Sequence, residues 1–147
     1  MRRKALFSVI IVIFLAGVSY WVFARDHAKL AADKNGSKQA GDFILHIRVE
    51  RVEDGVQVYR SIQYMGKEPV EVKHNTPLIS VSLANKNHDY TGSPVKKVLG
   101  EGDSYHPQDT FTFKPPKKGK YNLHCQAKFT ANGKDVVIDH TEKLEFK

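Results

Sequence analysis

From Asp42 to the C-terminus the chain alternates apolar and polar positions with a period of two. Phe43, Leu45, Ile47 and Val49 share one parity, and His46, Arg48 and Glu50 the other. That is the pattern of a half-buried strand. Asp54-Gly55 follows as a hairpin signal, and Val56, Val58, Ile62 and Tyr64 then alternate with Gln57, Ser61 and Gln63. Gly66-Lys67-Glu68-Pro69 predicts a turn before a short strand at Val70-Glu71-Val72. Ile79, Val81 and Leu83 predict another strand, Asn85 to Pro94 a polar loop, and Val95 to Leu99 a weak strand closed by Gly100-Glu101-Gly102-Asp103. Phe111 and Phe113 alternate with Thr110 and Thr112.

The clearest strand carries Tyr121, Leu123, Cys125, Ala127 and Phe129 on one face, with Asn122, His124, Gln126, Lys128 and Thr130 on the other. Asn132-Gly133 is the strongest hairpin signal of the chain, with Val136-Val137-Ile138 starting the return strand and Leu144-Glu145-Phe146 a last short run that either continues it or forms an edge. The pattern predicts an all-β domain over residues 42–147 with seven to eight strands and no helix. One wet face per strand implies antiparallel sheets, and packing two of them face to face gives a β-sandwich.

The first forty residues follow a different rule. Of the 20 residues from Ala5 to Ala24, 17 are apolar or aromatic and none is charged. As a helix this stretch is about 30 Å long, enough to cross a bilayer core. Arg2, Arg3 and Lys4 precede it, which orients the N-terminus to the cytoplasm and the domain to the outside. Tyr20 and Trp21 fall at the outer interface. Residues 1–24 therefore read as a basic tip and an uncleaved transmembrane signal anchor, with lipid bilayer as the partner of residues 5–24. A signal peptide cleaved after Ala24, giving a secreted protein, is the alternative. Residues 25–41 are polar and small, and read as a flexible stalk.

Charge sharpens this division. The chain carries a formal +7, of which Arg2, Arg3 and Lys4 supply three and residues 25–41 a net two. The domain from Asp42 holds 16 basic and 14 acidic residues, so no nucleic-acid partner is expected. Its one concentration of charge is Lys114, Lys117, Lys118 and Lys120 around Pro115-Pro116. Those lysines read either as a solvated loop guarding a sheet edge or as a contact for anionic lipid or an anionic wall polymer. Tyr59, Tyr90 and Tyr105 are candidate exposed aromatics for a contact patch.

Gly119-Lys120-Tyr121 opening a late strand resembles the corresponding strand of immunoglobulin-like folds. The order of strands from Val56 to Tyr121 also resembles small bacterial immunoglobulin-like domains of the intracellular proteinase inhibitor type. The resemblance covers about 90 residues and implies an immunoglobulin-like sandwich. It also raises protease inhibition as an alternative function, with Asn85 to Pro94 as the inhibitory loop. The domain departs from antibody-type sequences in having no Trp and a single Cys, four residues after Tyr121. No inhibitory residue of the family carries over.

The stretch Gly119 to Cys125 is also similar to the copper-binding strand of blue-copper proteins, which implies Cys125 and the upstream His74 as ligands. Such copper needs a second His and a weak Met, and Gln126 to Thr130 supplies neither. The parity of Cys125 makes it a buried small hydrophobe instead. The lone Cys excludes an internal disulfide, and the sequence has no phosphate loop, HExxH, CxxC or nucleophile elbow. The sequence thus predicts a non-enzymatic extracytoplasmic interaction module without a cofactor, partnered by an envelope protein or an anionic wall polymer.

Overall fold

The computed structural model describes residues 10–19, 28–53 and 55–147. Residues 10–19 are helical, and Ile10, Ile11, Val12, Ile13, Phe14, Leu15 and Val18 are 45 to 71% exposed. Among the described residues no helix is long and apolar enough to cross a membrane. The remainder of the span expected over residues 5–24 lies outside them.

The described residues then form ten strands: β1 (Lys34–Ala40), β2 (Phe43–Val52), β3 (Gly55–Tyr64), β4 (Val70–Asn75), β5 (Ile79–Leu83), β6 (Pro94–Leu99), β7 (Ser104–Tyr105), β8 (Phe111–Phe113), β9 (Gly119–Ala131) and β10 (Lys134–Phe146). They form two antiparallel sheets. The first runs β1-β2-β3, with β7 and β8 both on β3. The second runs β10-β9-β4-β6, with β5 also on β9. The β9–β10 hairpin keeps register from Ala131↔Lys134 to Gly119↔Phe146. Its turn residues Asn132 and Gly133 have φ of 49° and 80°. Two consecutive positive φ values are what a two-residue turn needs to match strand twist, and Asn-Gly supplies them at least cost.

The alternation read from sequence decides which side chains go inside. Leu45, Val49, Val58 and Ile62 of the first sheet join Val72, Ile79, Leu123, Ala127, Ile138 and Leu144 of the second in one buried apolar cluster. The Phe43 and Phe129 rings meet across it edge to face, with centroids 4.8 Å apart. Among the described residues the cluster runs from Ala28 to Phe146, so this segment carries a core of its own.

Two features differ from the sequence expectation. Residues 25–41 are not a stalk throughout, because Lys34–Ala40 pairs along its whole length with β2. Before it, Lys29 and Lys147 exchange both backbone hydrogen bonds, and Ala28 and Leu30 are buried. A polar sequence suffices here because an edge strand is held by its backbone. Gly36 sits where β1 meets β10, and a Cβ there would push on the ends of the His140 and Glu142 side chains. Second, Ser104–Tyr105 forms a strand that has no alternation long enough to read. Leu144-Glu145-Phe146 takes the first of its two readings and continues the return strand, so that residues 134–146 form one strand, because β9 offers a partner at every position.

Candidate functional site

Between β7 and β8 the chain leaves β3, and residues 106–110 bulge beside it. A groove of about 580 Å³ crosses the neighbouring face of the first sheet, lined by His46, Arg48, Tyr59, Ser61, His106 and Asp109 among others. The register sets its floor: Arg48 lies opposite Tyr59, and His46 opposite Ser61. These side chains share the parity that points away from the apolar cluster. Arg48 lies over the Tyr59 ring at 4.2 Å and pairs with Glu50 at 3.0 Å. His46 Nε2 donates to Gln63 Oε1 at 2.9 Å. Tyr59 Oη donates to Gln57 Oε1 at 2.7 Å, which fixes the ring under the guanidinium.

Arg60 closes the groove from below. Its parity, shared with Val58 and Ile62, sends it between the sheets. There Nη1 donates to the Ile79 carbonyl on β5 at 3.0 Å, and Gln108 Nε2 donates to the same oxygen at 2.7 Å. Burial lowers the affinity of the Arg60 guanidinium for its proton. Arg60 Nε and Gln108 Oε1 are both buried without a hydrogen-bond partner among the described residues. Counting parity from Val56 would have found Arg60, but an arginine in an apolar row reads as an interruption.

No known family, curated protein or solved structure matches this chain.

The other residues singled out by the sequence are dispersed. Cys125 is a buried free thiol, opposite Val81 on one side and His140 on the other. His74 sits on β4, with Nδ1 donating to the Asn75 carbonyl at 2.9 Å. Its Nε2 then accepts from Tyr105 Oη at 2.8 Å, so both ring nitrogens are engaged. Among the described residues no group of three or more His, Cys, Asp or Glu side chains could hold a metal ion.

Tyr59, Tyr90 and Tyr105 are half-buried and not fully exposed. Each has found an acceptor, as a phenol does when partly desolvated. Tyr90 Oη donates to the Gln126 carbonyl at 2.8 Å, and burial pushes its hydroxyl well above the usual phenol range. That bond, with His88 Nδ1 2.9 Å from Ser80 Oγ, straps the Asn85 to Pro94 loop down on the second sheet. A second groove of about 560 Å³ beside it is lined by Lys73, Lys96, Lys128 and Tyr90.

Lys114, Lys117, Lys118 and Lys120 are all exposed, and none has an ion-pair partner among the described residues. Their loop is fixed by Tyr121, whose Oη donates to the Lys117 carbonyl at 2.8 Å. Tyr121→Phe removes one hydrogen bond and little packing. It is expected to cost about 1 kcal/mol, read as a lower denaturation midpoint at unchanged slope.

Proposed function

We propose that this chain is a membrane-anchored extracytoplasmic binding module, without catalytic activity, whose contact surface is the groove over Arg48 and Tyr59. The groove carries the reading. It offers a guanidinium stacked on a phenol, two histidines and the hydroxyls of Ser37, Ser61 and Thr110. Arg and Tyr are the residues that most often dominate binding energy at interfaces. A groove lined by an arginine and several hydrogen-bond donors suits an envelope protein or wall polymer that presents carboxylate or phosphate groups.

Two observations support an immunoglobulin-like β-sandwich as its scaffold. Hairpin-linked β9 and β10 lie beside β4, β5 and β6, while β2, β3, β7 and β8 lie in the other sheet, as in the two sheets of that fold. The Tyr121 hydroxyl, bonded four residues upstream near the start of a late strand, matches the tyrosine corner of such folds. The apolar stretch around residues 10–19, exposed on every side, supports the anchor, since an all-apolar helix needs a bilayer or a protein around it.

A photocrosslinking side chain at Ser61 of the full-length protein, irradiated in intact cell envelopes, tests the groove. One dominant adduct is expected. It should fall at least about tenfold in an Arg48→Glu, Tyr59→Ala background, in line with the loss of two anchor side chains. The same probe at Thr141, exposed on the second sheet, should give none. No adduct at Ser61, or one unchanged by the two substitutions, overturns the assignment.

A further inference from the structure

We propose that the lysine-bearing end of the domain docks on the anionic lipid surface of the membrane that anchors the chain. The inference rests on the anchor reading above and adds to it which end of the domain meets the lipid.

The topology brings two separate parts of the sequence together. The chain arrives in the domain at Ala28, and Leu30 bridges to Phe146. Phe146 in turn lies opposite Gly119, the residue that follows Lys117-Lys118. Two inter-strand spacings of about 4.8 Å therefore put Leu30 within about 10 Å of Gly119. Nearly 90 residues of sequence separate them, so the coincidence is a product of the fold. Lys29 and Lys147 are both exposed at this end, and Lys120 opposes Glu145 across the hairpin. The lysine loop does not fold back on the domain: Tyr121 holds its backbone at Lys117, and Lys114, Lys117 and Lys118 remain exposed.

The tether is short. If the span ends at Ala24, only residues 25–27 lie between it and Ala28, and about 3.5 Å per residue limits the reach to about 14 Å. The Debye length at physiological salt is about 8 Å, so the lysine end stays within one or two screening lengths of the headgroups. Each lysine near an anionic surface contributes about 1 kcal/mol. A surface held at this distance by a covalent anchor needs no affinity of its own to be found, because the anchor supplies the local concentration. Docking would leave the groove over Tyr59 on the side of the domain, open to a partner.

The test uses the full-length protein in nanodiscs of phosphatidylcholine alone or with 30% phosphatidylglycerol, a composition on the order of cellular anionic content. Trypsin cleavage after Lys117 and Lys118 is followed by mass spectrometry. Cleavage is expected to be at least tenfold slower in the anionic discs, to recover in 0.5 M salt, and to recover in part in Lys114→Gln, Lys120→Gln protein, which keeps both cleavage sites. Equal cleavage in the two discs overturns the proposal. So does protection conferred on neutral discs by soluble poly(glycerol phosphate) where anionic discs confer none, which would assign the loop to a wall polymer. Failure of the anchor is read separately, as protein that does not co-purify with discs of either composition.

Discussion

Phe129→Ala is expected to destabilise the domain by about 3–5 kcal/mol, the usual cost of removing a buried aromatic side chain from a packed core. Phe129 stands on the inner face of β9 at 4% exposure, edge-on to Phe43 of the opposite sheet, and Phe43 also packs on Tyr64 at 5.2 Å. The truncation therefore removes apolar burial and the contact that joins the two sheets at the end bearing the β9–β10 turn. With stabilities of small domains at about 5–15 kcal/mol, such a loss takes a large part of the total. Thr130→Ala, one residue on and on the opposite face, should change stability by less than about 0.5 kcal/mol. Urea denaturation of the segment from Ala28 measures both. A double-mutant cycle with Phe43→Leu should return a coupling of about 0.5–1.5 kcal/mol if the rings interact as placed. A Phe129→Ala effect no larger than that of Thr130→Ala would mean that the two sheets do not share a core.

That experiment probes the part of the fold most legible in the sequence. Where a strand has one wet and one dry face, burial forces period-two alternation, and Phe43 to Val49 and Tyr121 to Phe129 carry it without a break. Asn132-Gly133 was legible for a different reason: a two-residue turn demands positive φ at both positions, and few residues give it. β1 was not legible. Its stability comes from backbone pairing with β2 and from the closeness that Gly36 permits against β10, and neither leaves an apolar signature. Gly36, within the stretch that reads as a flexible stalk, instead lies in this edge strand beside His140 and Glu142. The groove was half legible. Arg48, His46 and Ser61 fall on the polar parity of their strands, but the wall beside them is the 106–110 segment, which only tertiary pairing brings there. The lysine loop was found by composition alone, while its nearness to Ala28 needed the topology.

Cys125 should be close to inert in the folded domain and should make stability fall at alkaline pH. It lies between β5 and β10 at 1% exposure, and burial, with a smaller contribution from Glu142, pushes its thiol from 9.0 up to about 12, against the opposing pull of Arg60. At pH 8 the thiolate population is then lower than in the unfolded chain by about a thousandfold, and thiolate is the form that alkylates. Iodoacetamide should accordingly modify the protein in urea at least about a thousand times faster than in buffer. The same difference couples to folding. Below pH 9 the thiol is protonated in both states and costs nothing. As pH rises from 9 towards 12 the unfolded chain loses its proton first, so it binds fewer protons than the native state and stability falls. The full difference corresponds to about 4 kcal/mol by pH 12. Tyr90, also pushed up by burial, adds a loss of the same sign, but it is present equally in a Cys125→Ala variant. The difference between wild type and that variant, followed by urea denaturation from pH 8 to pH 11, should therefore isolate the thiol. Wild type should be the more stable at pH 8, where its side chain fills the space between Val81 and His140. Its advantage should shrink and then reverse as the pH passes through 10. Parallel pH profiles, or equal alkylation rates in buffer and in urea, would mean that the side chain reaches solvent, and that the inner face of β9 is open at its centre.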